Sequence, residues 1–67
     1  MTNEKLNEIT KEINAAIGIA KIEYSMNGTS IYYNRKVSEV YGMIKVLEMI
    51  TDKDYYFDEN GLHERTV

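Results

Sequence analysis

Ile22-Glu23-Tyr24-Ser25-Met26-Asn27-Gly28-Thr29-Ser30-Ile31-Tyr32-Tyr33 is the stretch whose reading decides the fold. Asn-Gly is the strongest short signal for a two-residue β-hairpin, because both central residues of a type I′ turn need positive φ. With the turn at Asn27-Gly28, Met26 faces Thr29, Tyr24 faces Ile31 and Ile22 faces Tyr33. The opposite face carries Lys21, Glu23, Ser25, Ser30, Tyr32 and Asn34. One face is almost wholly apolar and the other is polar apart from Tyr32, a sorting that a one-residue slip would destroy. The stretch therefore predicts a β-hairpin over residues 19–35, with Ile22 and Ile31 in the core.

Two amphipathic segments flank it. Thr2 or Asn3 can cap a helix with Glu4 in its first turn. Leu6, Ile9, Ile13, Ala16, Ile17 and Ala20 then recur at helical spacing. Gly18 is suited to the C′ position, with Ile19 folding back on Ile13, so this helix is predicted over residues 3–17. On the far side, Ser38 can cap a second helix over residues 37–50. Its apolar arc contains Val37, Val40, Met43, Ile44, Leu47 and Ile50, with Tyr41 at one edge and Val46 and Met49 outside it. That is more apolar surface than a two-stranded ribbon covers.

In the tail, residues 51–67, Asp54-Tyr55-Tyr56-Phe57-Asp58 reads as a short strand. Asn60-Gly61 repeats the turn signal ahead of Leu62-His63-Glu64-Arg65. Two arrangements are open: strands added to the edge of the central hairpin, or an acidic, aromatic arm that orders on binding. At least one strand is expected, since three consecutive aromatics are poorly accommodated in water. The expected fold is thus α+β: a single domain over residues 1–67, in the order helix, β-hairpin, helix, extended tail. Ile13, Ile22, Ile31, Ile44 and Leu47 form its expected core.

Composition narrows the function. The chain has 67 residues, no cysteine and one histidine, so disulfides and thiolate metal sites are excluded. No stretch approaches the roughly 20 apolar residues of a membrane span. Met-Thr-Asn-Glu-Lys at the start lacks the basic and apolar regions of a secretory signal. A cytoplasmic protein is expected, and the abundance of Ile, Lys, Asn and Tyr fits a low-GC bacterium or one of its phages. The net charge of −3 resides mainly after residue 51.

Few residues suggest chemistry. Aligning Gly61 with the sixth position of a calcium loop puts Tyr56 first and Val67 twelfth, where Asp and Glu are needed. His63 lies near Asp58 and Glu64 but no nucleophile motif accompanies it. No phosphate-cradling glycine loop is present. Neither enzymatic activity nor a cofactor or metal is expected.

Three groups remain as candidates for binding. Glu4, Glu8 and Glu12 form an acidic i, i+4 stripe. Read structurally it is a solvated face, and read functionally it meets a basic surface on another protein. Met43, Val46, Met49 and Ile50 offer an apolar surface for self-association or a partner. Lys21, Tyr32, Arg35 and Lys36 make the one basic cluster, with a ring able to stack an unpaired base. Nucleic-acid binding through that cluster is the alternative function, disfavoured by its small size. The expected function is a small acidic protein-interaction module, dimeric, of the kind phages use to inhibit a host or defence protein.

Overall fold

The computed structural model describes residues 2–65. Its elements are α1 (Asn3–Asn27), α2 (Ile31–Thr51), β1 (Tyr55–Asp58) and β2 (Gly61–Glu64). The two helices form an antiparallel hairpin, and the two strands pair antiparallel and pack against both helices. The α+β class holds, but the order is helix, helix, β-hairpin. The expected central hairpin over residues 19–35 is instead the end of α1, a short connection and the start of α2. Residues 66 and 67 of the expected tail lie outside the described residues.

The helical period explains the correction. Ile13, Ile17, Ala20 and Tyr24 continue one stripe at steps of three and four through the residues assigned to the first strand. Ile13, Ala16, Ile17 and Ala20 of α1 are buried, as are Val40, Ile44 and Leu47 of α2. Tyr24 packs against Tyr33 at 5.1 Å between ring centroids, which extends the seam toward the connection. Burying that stripe along both helices outweighs the β preference of the tyrosines and isoleucines. Gly18 lies inside α1 at a cost of about 1 kcal/mol rather than ending it. Ile22 and Ile31, expected in the core, are 61% and 76% exposed.

Asn27-Gly28 is a stop signal for a helix as well as a turn signal for a hairpin, and the following Thr29-Ser30 settles the choice. Gly28 takes φ 65 and donates its N–H to the Tyr24 carbonyl at 2.9 Å, closing α1. Ser30 caps α2 by accepting the Tyr33 N–H at 3.0 Å. Glu23 reaches across the connection, accepting from the Ser30 hydroxyl at 2.7 Å and from Asn27 Nδ2 at 2.8 Å. One carboxylate thereby ties the end of α1 to the cap of α2.

A β-hairpin does form at the second Asn-Gly pair, but its turn lies one residue earlier than Asn60-Gly61, and Gly61 opens β2. Tyr55 pairs with Glu64, Tyr56 with His63, Phe57 with Leu62 and Asp58 with Gly61. Glu59 and Asn60 occupy the turn with negative φ, and the positive angle falls on Gly61, at φ 118. Asp58 Oδ1 accepts the Asn60 N–H at 2.8 Å, an Asx turn. Tyr55, Phe57 and Leu62 pack onto the helical core, and Phe57 meets the edge of Tyr41 at 5.1 Å. Two helix side chains hold the strands from outside: Asn14 Oδ1 accepts the Leu62 N–H at 3.0 Å, and Glu48 Oε2 accepts the Tyr55 N–H at 2.9 Å. The expected tail strands therefore exist, but they form their own sheet and lie on a helical layer.

Two predictions follow from this packing. Ile31→Ala is expected to change stability by less than about 0.5 kcal/mol, while Ile13→Ala or Ile44→Ala costs about 2–5 kcal/mol. Denaturant melts of the three variants check the contrast. Gly61→Ala is expected to cost about 1–3 kcal/mol, since it meets an unfavourable φ. Its Cβ would also stand 2.7 Å from Asn14 Oδ1. A Gly61→Ala protein that melts with the parent would contradict the docked position of the β-hairpin.

Candidate functional site

The three groups singled out by sequence occupy different parts of the helical layer. Glu4, Glu8 and Glu12 are all exposed on α1, and Lys5 reaches Glu8 at 3.5 Å in an open surface pair. Such pairs contribute about 0–1 kcal/mol and leave the stripe acidic. At about 100° per residue the same stripe continues along α1 through Ala15, Ile19, Ile22 and Met26. Every one of these residues is exposed. The outer surface of α1 is therefore acidic in its first half and apolar in its second.

On α2, Met43 is half-buried against the core, whereas Val46, Met49 and Ile50 are 53%, 79% and 41% exposed. Three of the four residues expected at an apolar surface thus meet solvent in the single chain.

The basic cluster loses the strand geometry on which it was read. Lys36 Nζ lies 5.8 Å from the Tyr32 ring centroid, with a 3.2 Å ion pair to Glu39. Arg35 is exposed one residue, about 100°, further round α2. Lys21 lines a cleft with Tyr33 and Val37 beside the β-turn. Tyr32 and Lys36 are brought together; Lys21 belongs to a different part of the surface.

That cleft was not anticipated. It measures about 290 Å³ and lies where the β-hairpin stops short of the helical connection. Ile17, Ala20, Tyr24, Tyr33 and Phe57 form its apolar wall, and Lys21, Asp58 and Glu59 its polar rim. The signal that could have located it is the helical continuation from Ile17 through Ala20 to Tyr24. Its lining sets one lysine and two carboxylates beside an apolar wall.

The outward face of the β-hairpin carries the remaining titratable group of note. His63 Nε2 lies 2.9 Å from Asp58 Oδ1 and its ring stacks on Tyr56 at 5.1 Å. Arg65 covers the Tyr56 ring, also at 5.1 Å. The hydrogen bond to His63, aided by the Asn60 N–H, holds the Asp58 carboxyl below its ordinary range. This pair is a cross-strand clasp. No group of three His, Cys, Asp or Glu side chains suited to hold a metal gathers among the described residues. No helix among them is long and apolar enough to cross a membrane.

A carboxyl with a depressed folded-state pKa stabilises above its unfolded pKa, and the contribution is lost as pH falls through the folded value. The parent is therefore expected to lose stability relative to Asp58→Asn as pH drops from about 5 to about 2.5. Thermal melts of both proteins across that range check the sign; parallel curves would remove the clasp from the pH response. Comparison of the chain with protein-family models, curated proteins and solved structures finds no match.

Proposed function

We propose that the protein is a non-enzymatic interaction module that docks α1 onto another protein. The observation that carries this reading is the unbroken exposed stripe on α1. Glu4, Glu8 and Glu12 supply its acidic half, and Ile19, Ile22 and Met26 its apolar half. An amphipathic helix that lays one face into a groove reads its partner through residues at such three- and four-residue steps. The fitting partner presents a basic patch beside an apolar groove. Charge steers the encounter, and Ile19, Ile22 and Met26, exposed in the free chain, hold the complex by entering the groove.

A small acidic protein of this design suits the blocking of a basic surface, including a nucleic-acid channel whose phosphates the glutamates imitate. Phage-type inhibition of a host or defence protein is one such role. A chain without cysteine fits action in the reducing cytoplasm. Direct nucleic-acid binding is the weaker reading, because Lys36 is committed to Glu39 and Tyr32 and Lys21 lies apart from it.

Capture of partners from a low-GC bacterial lysate, followed by binding measurements on the captured protein, tests the proposal. Glu8→Lys with Glu12→Lys is expected to slow association about tenfold or more at low salt. Ile22→Asp is expected to speed dissociation, and the melting temperatures should stay near the parent value because all three side chains are exposed. Unchanged binding in both variants would remove α1 from the interface. A micromolar complex with DNA or RNA at about 150 mM salt would favour the basic residues instead.

A further inference from the structure

The cleft beside the β-turn draws its apolar wall from three elements. Ile17, Ala20 and Tyr24 come from α1, Tyr33 and Val37 from α2, and Phe57 from β1. Half of these side chains are aromatic. Tyr24 and Tyr33 pack at 5.1 Å with their planes tilted by 50°, and Phe57 meets Tyr41 edge-on at 64°. Tilted, offset and edge-on neighbours attract a ring beyond what its buried area supplies. A further ring entering this cleft therefore gains more than an aliphatic chain of the same area. At about 290 Å³ the cleft stands at the lower edge of the roughly 300–1,000 Å³ range of small-molecule sites. Its size suits one ring with a short head group.

A second depression, of about 380 Å³, adjoins the first and shares Ile17, Lys21 and Glu59 with it. The rest of its lining is polar or backbone apart from Leu62: Asn14, Gly18, Asn60 and Gly61. Residues common to both linings stand at their boundary. Lys21 of α1 and Glu59 of the β-turn thus flank the place where the aromatic cleft opens into a polar one. Both are exposed, and neither joins an ion pair among the described residues. Asp58, the other carboxylate on the rim, is already engaged: its Oδ1 accepts the Asn60 N–H and lies 2.9 Å from His63 Nε2. The mouth of the aromatic cleft therefore offers one ammonium and one unpaired carboxylate.

We infer that this cleft binds a free aromatic amino acid. The ring enters among Tyr24, Tyr33 and Phe57, the α-carboxylate meets Lys21, and the α-ammonium meets Glu59. Charge complementarity selects the class. An aromatic cation would leave Lys21 opposed to a like charge, and an aromatic anion would do the same to Glu59. A zwitterion satisfies both. Ion pairs at exposed groups are screened by water, so the ring supplies most of the affinity and the head group the selectivity. The cleft lies on the inner side of α1, where Ile17 and Ala20 are buried, away from the exposed Ile19, Ile22 and Met26. The inference does not depend on what the outer stripe of α1 binds.

NMR titration of the full chain with L-phenylalanine tests it, carried to about 10 mM because so small a ligand has few atoms with which to bind. Saturable shifts are expected at Ile17, Lys21, Tyr24, Tyr33 and Glu59, and none with glycine, which has both charges but no ring. L-phenylalanine amide keeps only the cation and N-acetyl-L-phenylalanine only the anion; each is expected to bind about threefold more weakly. Lys21→Met is expected to weaken L-phenylalanine and the N-acetyl form about threefold without weakening the amide, and Glu59→Gln to do the converse. Both side chains are exposed, so the variants should melt near the parent. No saturable shift with L-phenylalanine overturns the inference. So does an equal response to glycine, or unchanged binding in both variants. A blocked form that binds as tightly as the free amino acid also overturns it, and assigns the cleft to a polypeptide terminus: the C-terminal residue for the N-acetyl form, the N-terminal residue for the amide.

Discussion

The structure depends on one seam, in which Ile13, Ala16 and Ile17 of α1 close on Val40, Ile44 and Leu47 of α2. The small side chain of Ala16 lets the helices approach, and the branched residues fill the space between them. A pair of helices can bury only one stripe from each, so flanking apolar residues need a further layer. The β-hairpin provides that layer on one side by laying Tyr55, Phe57 and Leu62 on the seam. With about 60% of the unfolded chain's surface buried at this size, the seam and its one-sided cover make up most of what the fold has to offer.

How the β-hairpin is held matters as much as what it covers. A two-stranded sheet has two free edges, each an invitation to pair with another chain. Here each edge is met by a helix side chain: Asn14 takes an N–H from β2, and Glu48 takes one from β1. Gly61 allows Asn14 that close, since a Cβ there would collide with it. The same contacts anchor the sheet to both helices and partly occupy the groups through which it could extend. His63 and Asp58, with Tyr56 and Arg65, form the outer surface of this clasp.

The two Asn-Gly pairs show how far the sequence is legible. Around Asn60-Gly61 the strands were readable from the aromatic run and the turn, though not where they would dock. Around Asn27-Gly28, the side chains alternate as a hairpin would and also continue a helical stripe. Local pattern alone does not separate these, because Tyr24 and Tyr33 suit both. The decision comes from Ser30 acting as a cap and from Ala20 and Tyr24 extending a stripe already begun at Ile13. The acidic stripe was legible because it lies within the part of α1 that was anticipated. Its apolar continuation through Ile22 and Met26 was hidden by their assignment to a strand. Of the cleft, only the wall from Ile17 through Ala20 to Tyr24 had a signal in the sequence, since its other walls come from elements whose relative placement is tertiary.

The Asn14–Leu62 hydrogen bond joins residues 48 positions apart, whereas Tyr24 and Tyr33 are near neighbours along the chain. That difference implies an order of assembly. Closing the helical hairpin costs little loop entropy, and its contacts can propagate from Gly28 and Ser30 toward the ends of the helices. Asn14 and Glu48 come into position only once the helices are aligned, so the strands dock last. During synthesis from the N-terminus, the helical layer can form while the latch that completes it is still being made.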